Sequence, residues 1–196
     1  RLLEYDDVMN AQREVIYSKR RQALYGERLA LDISNMIYDL CENYVSDFQD
    51  NGDFEGLTFE LLTTFASECP FGEKEFMSGN KTKLTEDLFH HVYKNYRDKS
   101  KRIAELAYPV IKDVYENHPR YQFIAIPITD GIKSMQVAPN LKRAYEDKGM
   151  EVSLAIEKGI TLGVIDDAWK EHLREMDELR QSVQSASYEQ KDPLLI

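Results

Sequence analysis

The best candidate for metal chemistry in this sequence is a short run of carboxylates and imidazoles: Glu86, Asp87, His90 and His91. Spacings of three and four residues place a carboxylate and an imidazole on one face of a helix. A metal site within a helical bundle needs such a set repeated on several helices. The nearest parallel here is a single pair, His172 and Glu175. We therefore interpret both sets as polar helix faces and expect no metal site.

The sequence contains no recognisable catalytic or nucleotide-binding constellation. It has neither a Gly-x-x-x-x-Gly-Lys-Ser/Thr loop nor a Gly-x-Gly-x-x-Gly turn, the backbone cradles that hold phosphates. The adjacent carboxylates Asp166 and Asp167 diverge by about 100° on a helix, so they do not face one substrate. Cys41 lies on an apolar stripe, which predicts burial, and Cys69 has no nearby basic partner to lower its thiol pKa. We expect no enzymatic activity from this chain by itself.

The composition excludes several classes of protein. The formal net charge of −10 argues against a dedicated nucleic-acid binder, which needs a basic face. The longest apolar runs fall far short of the roughly 18 to 20 residues of a membrane span, and no signal peptide is recognisable at the first residues. The sequence has only 2 cysteines, so we do not expect a disulfide framework. We expect a reducing, cytosolic setting instead.

The apolar periodicity predicts a mainly helical fold. Residues 1–49 contain no proline and one glycine, Gly26, which predicts one long helix or two helices in line. Upstream of residue 17 the spacing is heptad-like, at Leu2, Met9 and Ile16. The strongest stripe follows in steps of three and four, at Ile33, Met36, Ile37, Leu40, Cys41, Tyr44, Val45 and Phe48.

Turn residues divide the middle of the chain. The run at 50–53 ends the first helical region, and Thr58 is the candidate N-cap of a short helix that ends near residue 67. A loop-rich segment then leads to a second long helix, which we expect to start after Thr85, to kink or break at Pro109 and to end near residue 117.

Residues 121–138 change character and predict a β-hairpin. Two β-branched and aromatic runs flank Asp130-Gly131, a favoured turn sequence, and Pro127 places the first strand at an edge or a bulge. An isolated hairpin is marginally stable in water, so we expect this one to pack on helices.

A short helix at 140–147 and a long helix at 151–187 complete the prediction. The last helix carries an apolar stripe from Ile165 to Val183, and we expect it to pack side by side with the Ile33–Phe48 stripe of the first helical region. The residues expected in that contact are Ile37, Leu40, Tyr44, Trp169, Leu173 and Met176.

Two segments go beyond periodicity. The first is Leu2-Leu3-Glu4-Tyr5-Asp6-Asp7-Val8, followed by Gln12-Arg13 and Ile16-Tyr17. The second is Ile165-Asp166-Asp167-Ala168-Trp169-Lys170-Glu171-His172-Leu173, followed by Met176-Asp177, Leu179-Arg180 and Tyr188-Glu189-Gln190-Lys191-Asp192-Pro193. In residue types, order and separation, both segments resemble the SecA family. The first resembles the start of its long scaffold helix, and the second resembles its later scaffold segment with the first helix and loop of its two-helix finger. Between the two segments the resemblance rests on position and helical content.

The resemblance implies a domain organisation. Residues 1–50 would be a long helix of the helical scaffold, and residues 51–150 would be the helical wing, which carries the hairpin near 121–138. Residues 151–196 would continue the scaffold and form the first helix and loop of the finger, without the second finger helix. The implied fold is mainly α, with long scaffold helices packed against the wing.

The resemblance also implies a function. SecA proteins use ATP to move unfolded preproteins through the SecYEG channel, and they work in the cytoplasm and at the inner face of the cell membrane as peripheral proteins. This chain would supply mechanical coupling and polypeptide contact. ATP and magnesium would bind in other SecA domains, and the chain itself would need no cofactor.

The finger loop of the family touches the moving polypeptide through a tyrosine, and Tyr188 occupies that place here. The neighbouring residues implied in polypeptide or channel contact are Gln190, Lys191, Asp192 and Pro193. Just before the tyrosine many members carry a basic, glycine-containing sequence; residues 184–187 are Gln-Ser-Ala-Ser here. Two alternatives remain: a free-standing helical module that binds partner helices, and an enzyme with an unrecognised site.

Overall fold

A computed structural model describes residues 2–25, 28–118, 120–129, 131–132 and 134–188. Side chains are described from residue 5 to residue 183 within these ranges. The elements in chain order are α1 Leu2–Tyr25, α2 Leu29–Asn51, α3 Phe54–Phe65, α4 Glu73–Ser78, α5 Lys81–Asn117, β1 Ile126–Thr129, β2 Ser134–Val137, α6 Leu141–Glu146 and α7 Met150–Tyr188. The predicted mainly α fold with one small hairpin is confirmed.

The chain divides into two compact units. Residues 1–26 and 157–196 form the first unit, whose elements are α1 and most of α7. Residues 27–156 form the second unit, which holds α2 to α6, the hairpin and the first turns of α7. The helical region predicted over 1–49 as one long helix or two is therefore two helices: α1 ends at Tyr25 and α2 begins at Leu29.

The larger core of the second unit lies between α2, α3, α4 and α5. Its buried members are Ile37, Cys41, Val45, Leu57, Leu61, Phe71, Phe76, Leu84, Leu88 and Val92. The stripe predicted to pack on the last helix thus packs on α3, α4 and α5, and our choice of its partner was wrong. Burial raises the pKa of the Cys41 thiol to about 12, so this cysteine stays protonated, as its predicted core position requires.

Helix ends explain several differences from the predicted boundaries. Asp53, rather than Thr58, caps α3: its carboxylate accepts a hydrogen bond of 2.8 Å from the Gly56 amide. Asn80 caps α5 in the same way through the Lys83 amide, so that helix begins at Lys81, five residues before the expected start. Helix α4 lies inside the segment that was expected to be a loop.

Helix α5 runs through Pro109 without a break. Proline removes one intrahelical hydrogen bond and frees the carbonyl four residues before it. Both Pro109 and Glu105 are exposed, so water can solvate the freed carbonyl. The predicted break at Pro109 is wrong, since the proline lies on the solvent side of a continuous helix, and the alternative, a kink, stays a prediction.

The hairpin packs on helices, as predicted. Its antiparallel register pairs Ile126 with Val137 and Thr129 with Ser134. The strands are therefore joined by four residues, 130–133, rather than by a two-residue turn. Ile126 packs on a second core of the same unit, whose buried members are Ile111, Leu141, Ala144 and Val152.

The start of α7 is fixed tightly against α5. Ser153 is buried, and its hydroxyl donates a 2.8 Å hydrogen bond to the Ser100 carbonyl. Gly149 has a φ of +93° and lies against the α5 backbone, so that an added Cβ would be 2.5 Å from the carbonyl oxygen of Ala104. Both its conformation and its surroundings require glycine.

We expect Gly149→Ala to destabilise the chain by about 2 kcal/mol or more, because the left-handed conformation and the Ala104 contact both penalise a side chain. Gly163→Ala is the matched control. Nothing lies within 4 Å of a Cβ at Gly163 in the middle of α7, so that variant should gain about 0.5 to 1 kcal/mol. Urea denaturation measures both changes. Equal stabilities for the two variants would contradict the packing at Gly149.

Candidate functional site

The described residues of the two sequence segments that carried the family resemblance lie on α1 and on the later part of α7, in the same compact unit. Their partly buried polar side chains pair at three levels, which we call the α1–α7 seam. The hydroxyl of Tyr5 donates to the Met176 carbonyl at 2.9 Å. Residue numbers fall along α7 as they rise along α1, so the two helices pair antiparallel.

The middle level joins Gln12 to His172. The Nε2 atom of the imidazole lies 2.9 Å from Oε1 of the amide, and because an amide oxygen only accepts, the imidazole donates. The imidazole also stacks on the Trp169 ring, with 5.4 Å between ring centroids. One side chain of α1 thereby fixes two neighbouring side chains of α7.

The third level is an ion pair between Arg20 and Asp166. Both side chains are about one-third exposed, so the pair contributes less than about 1 kcal/mol. Its main effect is on register, because a pair at this level forms only when the other two levels are aligned. Asp166 was considered in the sequence as one of two adjacent acid/base residues. In the structure its carboxylate pairs with Arg20 of α1, which is a structural role.

An apolar groove of about 600 Å³ runs along the seam. We call it the α1–α7 groove. Its lining residues are Gln12, Val15, Ile16, Lys19, Val164, Ile165, Ala168, Trp169 and His172. Val15 and Val164 are 59% and 63% exposed. The groove therefore presents apolar side chains to solvent with one lysine among them.

The residues that were expected to pack together belong to two different compact units. Ile37 is buried in the larger core of the second unit, and Tyr44 packs beside it while its hydroxyl bonds Thr64 at 2.9 Å. Leu40 is 37% exposed. Trp169, Leu173 and Met176 are half-buried on α7 in the other unit.

The expected polypeptide-contact residues lie at the end of the described chain. Tyr188 is the C-terminal residue of α7, and its side chain lies outside the described residues. Gln190, Lys191, Asp192 and Pro193 also lie outside them. Their part in polypeptide contact stays a prediction.

The described part of the chain has no group of three or more histidine, cysteine, aspartate or glutamate side chains placed to hold a metal ion. His90, the strongest sequence candidate, uses Nδ1 in a 2.7 Å contact with the backbone carbonyl of Glu86. None of the described helices is long and apolar enough to cross a membrane.

Sequence reasoning missed the polar side chains that pair across the seam: Tyr5, Gln12, Arg20 and Arg180. A signal existed, because Tyr5 and Gln12 are seven residues apart and share a face with the predicted heptad-like stripe. We had assigned that face to apolar packing alone.

Comparison with known proteins decides the family. Residues 1–196 match the family described as the SecA Wing and Scaffold domain. The chain belongs to the SecA family. It is 56%, 53% and 51% identical over 197 residues to proteins named "Protein translocase subunit SecA" from Bacteroides thetaiotaomicron, Bacteroides fragilis and Christiangramia forsetii. Each match covers 100% of this chain and 18% of the relative. No solved structure matches the chain.

The SecA wing and scaffold are therefore the region that this chain represents, and the seam joins the two SecA-like segments. The chain spans about a fifth of the length of the curated relatives it matches. Activities that belong to a whole SecA protein require the other four-fifths as well.

A double-mutant cycle tests the middle level of the seam. We expect Gln12→Ala and His172→Ala to show a coupling of about 0.5 to 1.5 kcal/mol in the free energy of unfolding, the usual net value of one partly buried hydrogen bond. The control cycle pairs Gln12→Ala with Lys170→Ala, because Lys170 is exposed and bonds Asp167 on its own helix. That coupling should stay below about 0.5 kcal/mol. Equal coupling energies in the two cycles would contradict a stabilising hydrogen bond between Gln12 and His172.

Proposed function

We propose that this chain is the mechanical scaffold and wing of a protein-translocating motor, which couples ATP hydrolysis to the movement of unfolded preproteins through the SecYEG channel. The observation that carries the proposal is the match of the whole chain to the SecA wing and scaffold, together with relatives named as translocase subunits. The motor would work in the cytoplasm, bound peripherally at the inner face of the cell membrane.

In this proposal the chain does not hydrolyse ATP. Its sequence has no phosphate-cradling loop, so ATP and magnesium would bind in other SecA domains. The chain would transmit the motion of those domains through α7, a single helix of 39 residues and about 58 Å in length. Residues of α7 belong to both compact units, so the helix connects them covalently.

The polypeptide contact would be made by Tyr188, with residues 190–193 beside it. A motor that moves many sequences needs a contact surface that tolerates all of them. Tyrosine offers a large amphipathic surface and loses little conformational entropy on binding. Tyr188 lies at the C-terminal end of the described part of α7, and the resemblance gives this residue the place of the tyrosine in the finger loop.

In the complete motor we expect Tyr188→Ala to slow preprotein transport and to leave ATP hydrolysis without preprotein nearly intact, because it removes only the contact surface. Transport into membrane vesicles, measured beside ATP turnover, gives both rates. Tyr25→Ala is the matched control, since Tyr25 is a surface tyrosine of α1, 82% exposed. Unchanged transport in Tyr188→Ala would refute the contact, and a melting temperature lowered by many degrees would show that Tyr188 is structural.

We also propose that the α1–α7 groove packs against another domain of the complete protein. Exposed apolar side chains such as Val15 and Val164 support this, because a groove of this size is costly to leave in water. The free-standing interaction module, the alternative function, would instead use the same groove for a separate protein. We favour an internal partner because every relative named above carries this sequence inside a much longer chain.

Val15→Asp separates these two uses of the groove. In the isolated chain Val15 is 59% exposed, so the substitution should change stability by no more than about 0.5 kcal/mol. In the complete protein it would bury an unpaired carboxylate and should lower stability by several kcal/mol. Val15→Leu, which keeps the apolar surface, is the control in both. An equally small effect of Val15→Asp in both proteins would contradict an internal partner.

A further inference from the structure

The contact of Tyr5 with α7 uses both the hydroxyl and the ring face. The hydroxyl donates to the Met176 carbonyl at 2.9 Å. The guanidinium of Arg180 lies over the ring, with its Cζ atom 5.7 Å from the ring centroid. Because an α-helical carbonyl is bonded by the amide four residues later, Met176 and Arg180 belong to one helical turn. Tyr5 therefore holds a single turn of α7 from two directions.

This turn is close to the end of the helix. Eight residues separate Arg180 from Tyr188, which at 1.5 Å per residue is about 12 Å, or a little over two turns. Helix ends fray, and the placement of a terminal residue depends on the last turn that is held. The Tyr5 contact thus determines how precisely the end of α7 is placed.

The chemistry is specific to tyrosine and arginine. Phenylalanine would keep the ring under the guanidinium but lose the hydrogen bond to the Met176 carbonyl. Lysine in place of Arg180 would keep a cation over the ring with a different shape, whereas glutamine would remove the charge.

We infer that Tyr5, through Met176 and Arg180, is a positioning residue that holds the C-terminal turns of α7 in place and so positions Tyr188 for polypeptide contact. The inference rests on the proposed function for the role of Tyr188. The placement of the helix end follows from the contacts of Tyr5 alone.

The test uses the complete translocase with Tyr5→Phe, Arg180→Gln, Arg180→Lys and Tyr188→Ala, and with the double variant Tyr5→Phe/Tyr188→Ala. Two quantities are measured: the transport rate into vesicles, and amide hydrogen exchange of residues 181–188. Tyr5→Phe should speed exchange and slow transport by about 2- to 10-fold, the factor that corresponds to one lost hydrogen bond. Arg180→Gln should act in the same direction, and Arg180→Lys should recover part of the loss.

The double variant separates positioning from general stability. If Tyr5 acts through Tyr188, Tyr5→Phe/Tyr188→Ala should transport no more slowly than Tyr188→Ala. If the two losses multiply, or if exchange of residues 181–188 does not change in Tyr5→Phe, the inference is wrong. If Tyr5→Phe lowers the melting temperature of the whole protein, Arg180→Gln decides the question with Tyr5 intact. Normal transport in Tyr188→Ala would refute the proposed contact, while exchange in Tyr5→Phe would still test whether Tyr5 holds the helix end.

Discussion

The pairing of α1 with the later part of α7 is the constraint on which the first compact unit depends. Tyr5 and Met176 are 171 residues apart in sequence and are joined by a 2.9 Å hydrogen bond. In proteins most of the stability of a helix comes from packing of its apolar face, so α1, a helix of 24 residues, depends on its contact with α7. The entropy lost on closing so long a loop grows only with the logarithm of its length. Residues 27–156 reduce that loss further, because they form a compact unit that brings its two ends into the folded structure.

The second unit shows what apolar periodicity can and cannot determine. Steps of three and four correctly identified Ile37, Cys41 and Val45 as buried in α2, whereas Met36 and Leu40 of the same predicted stripe are exposed. Periodicity does not identify the partner of that face, because apolar contact is non-directional and any apolar surface satisfies it. The stripe packs on α5, whose own stripe includes Leu88 and Val92. From the sequence, the apolar stripe of the last helix was an equally suitable partner. Only the contacts in the structure distinguish α5 from the last helix as the partner of this stripe.

Local boundaries were predictable where a residue acts through its own backbone or its nearest neighbours. Gly52, in the left-handed conformation, ends α2 as the turn sequence at 50–53 predicts. Caps were less certain, because several polar residues precede each helix and only one of them accepts from an amide three residues later. Asp53 and Asn80 do so, and Thr58 instead bonds the Phe54 carbonyl within α3. Pro109 shows the same limit, since its effect depends on whether its side of the helix is solvated.

The family resemblance and the seam involve many of the same residues, and polar chemistry explains why. Tyr5 and Gln12 belong to the first segment, and His172 and Arg180 belong to the second. Apolar side chains in a core can be exchanged for others of similar volume at small cost. A hydrogen bond or a cation–ring contact between helices needs one donor, one acceptor and one geometry, so few substitutions keep it. Helices that pair through such contacts, as α1 and α7 do through Tyr5, Gln12 and Arg20, need specific residue types at fixed spacings. Such residues at fixed spacings form a recognisable sequence motif. Helices that pack only through apolar stripes show no more than a hydrophobic periodicity in their sequence. The two segments therefore carried the resemblance in the sequence, whereas the stretch between them, held by apolar cores, offered only its helical content as a sign of the family.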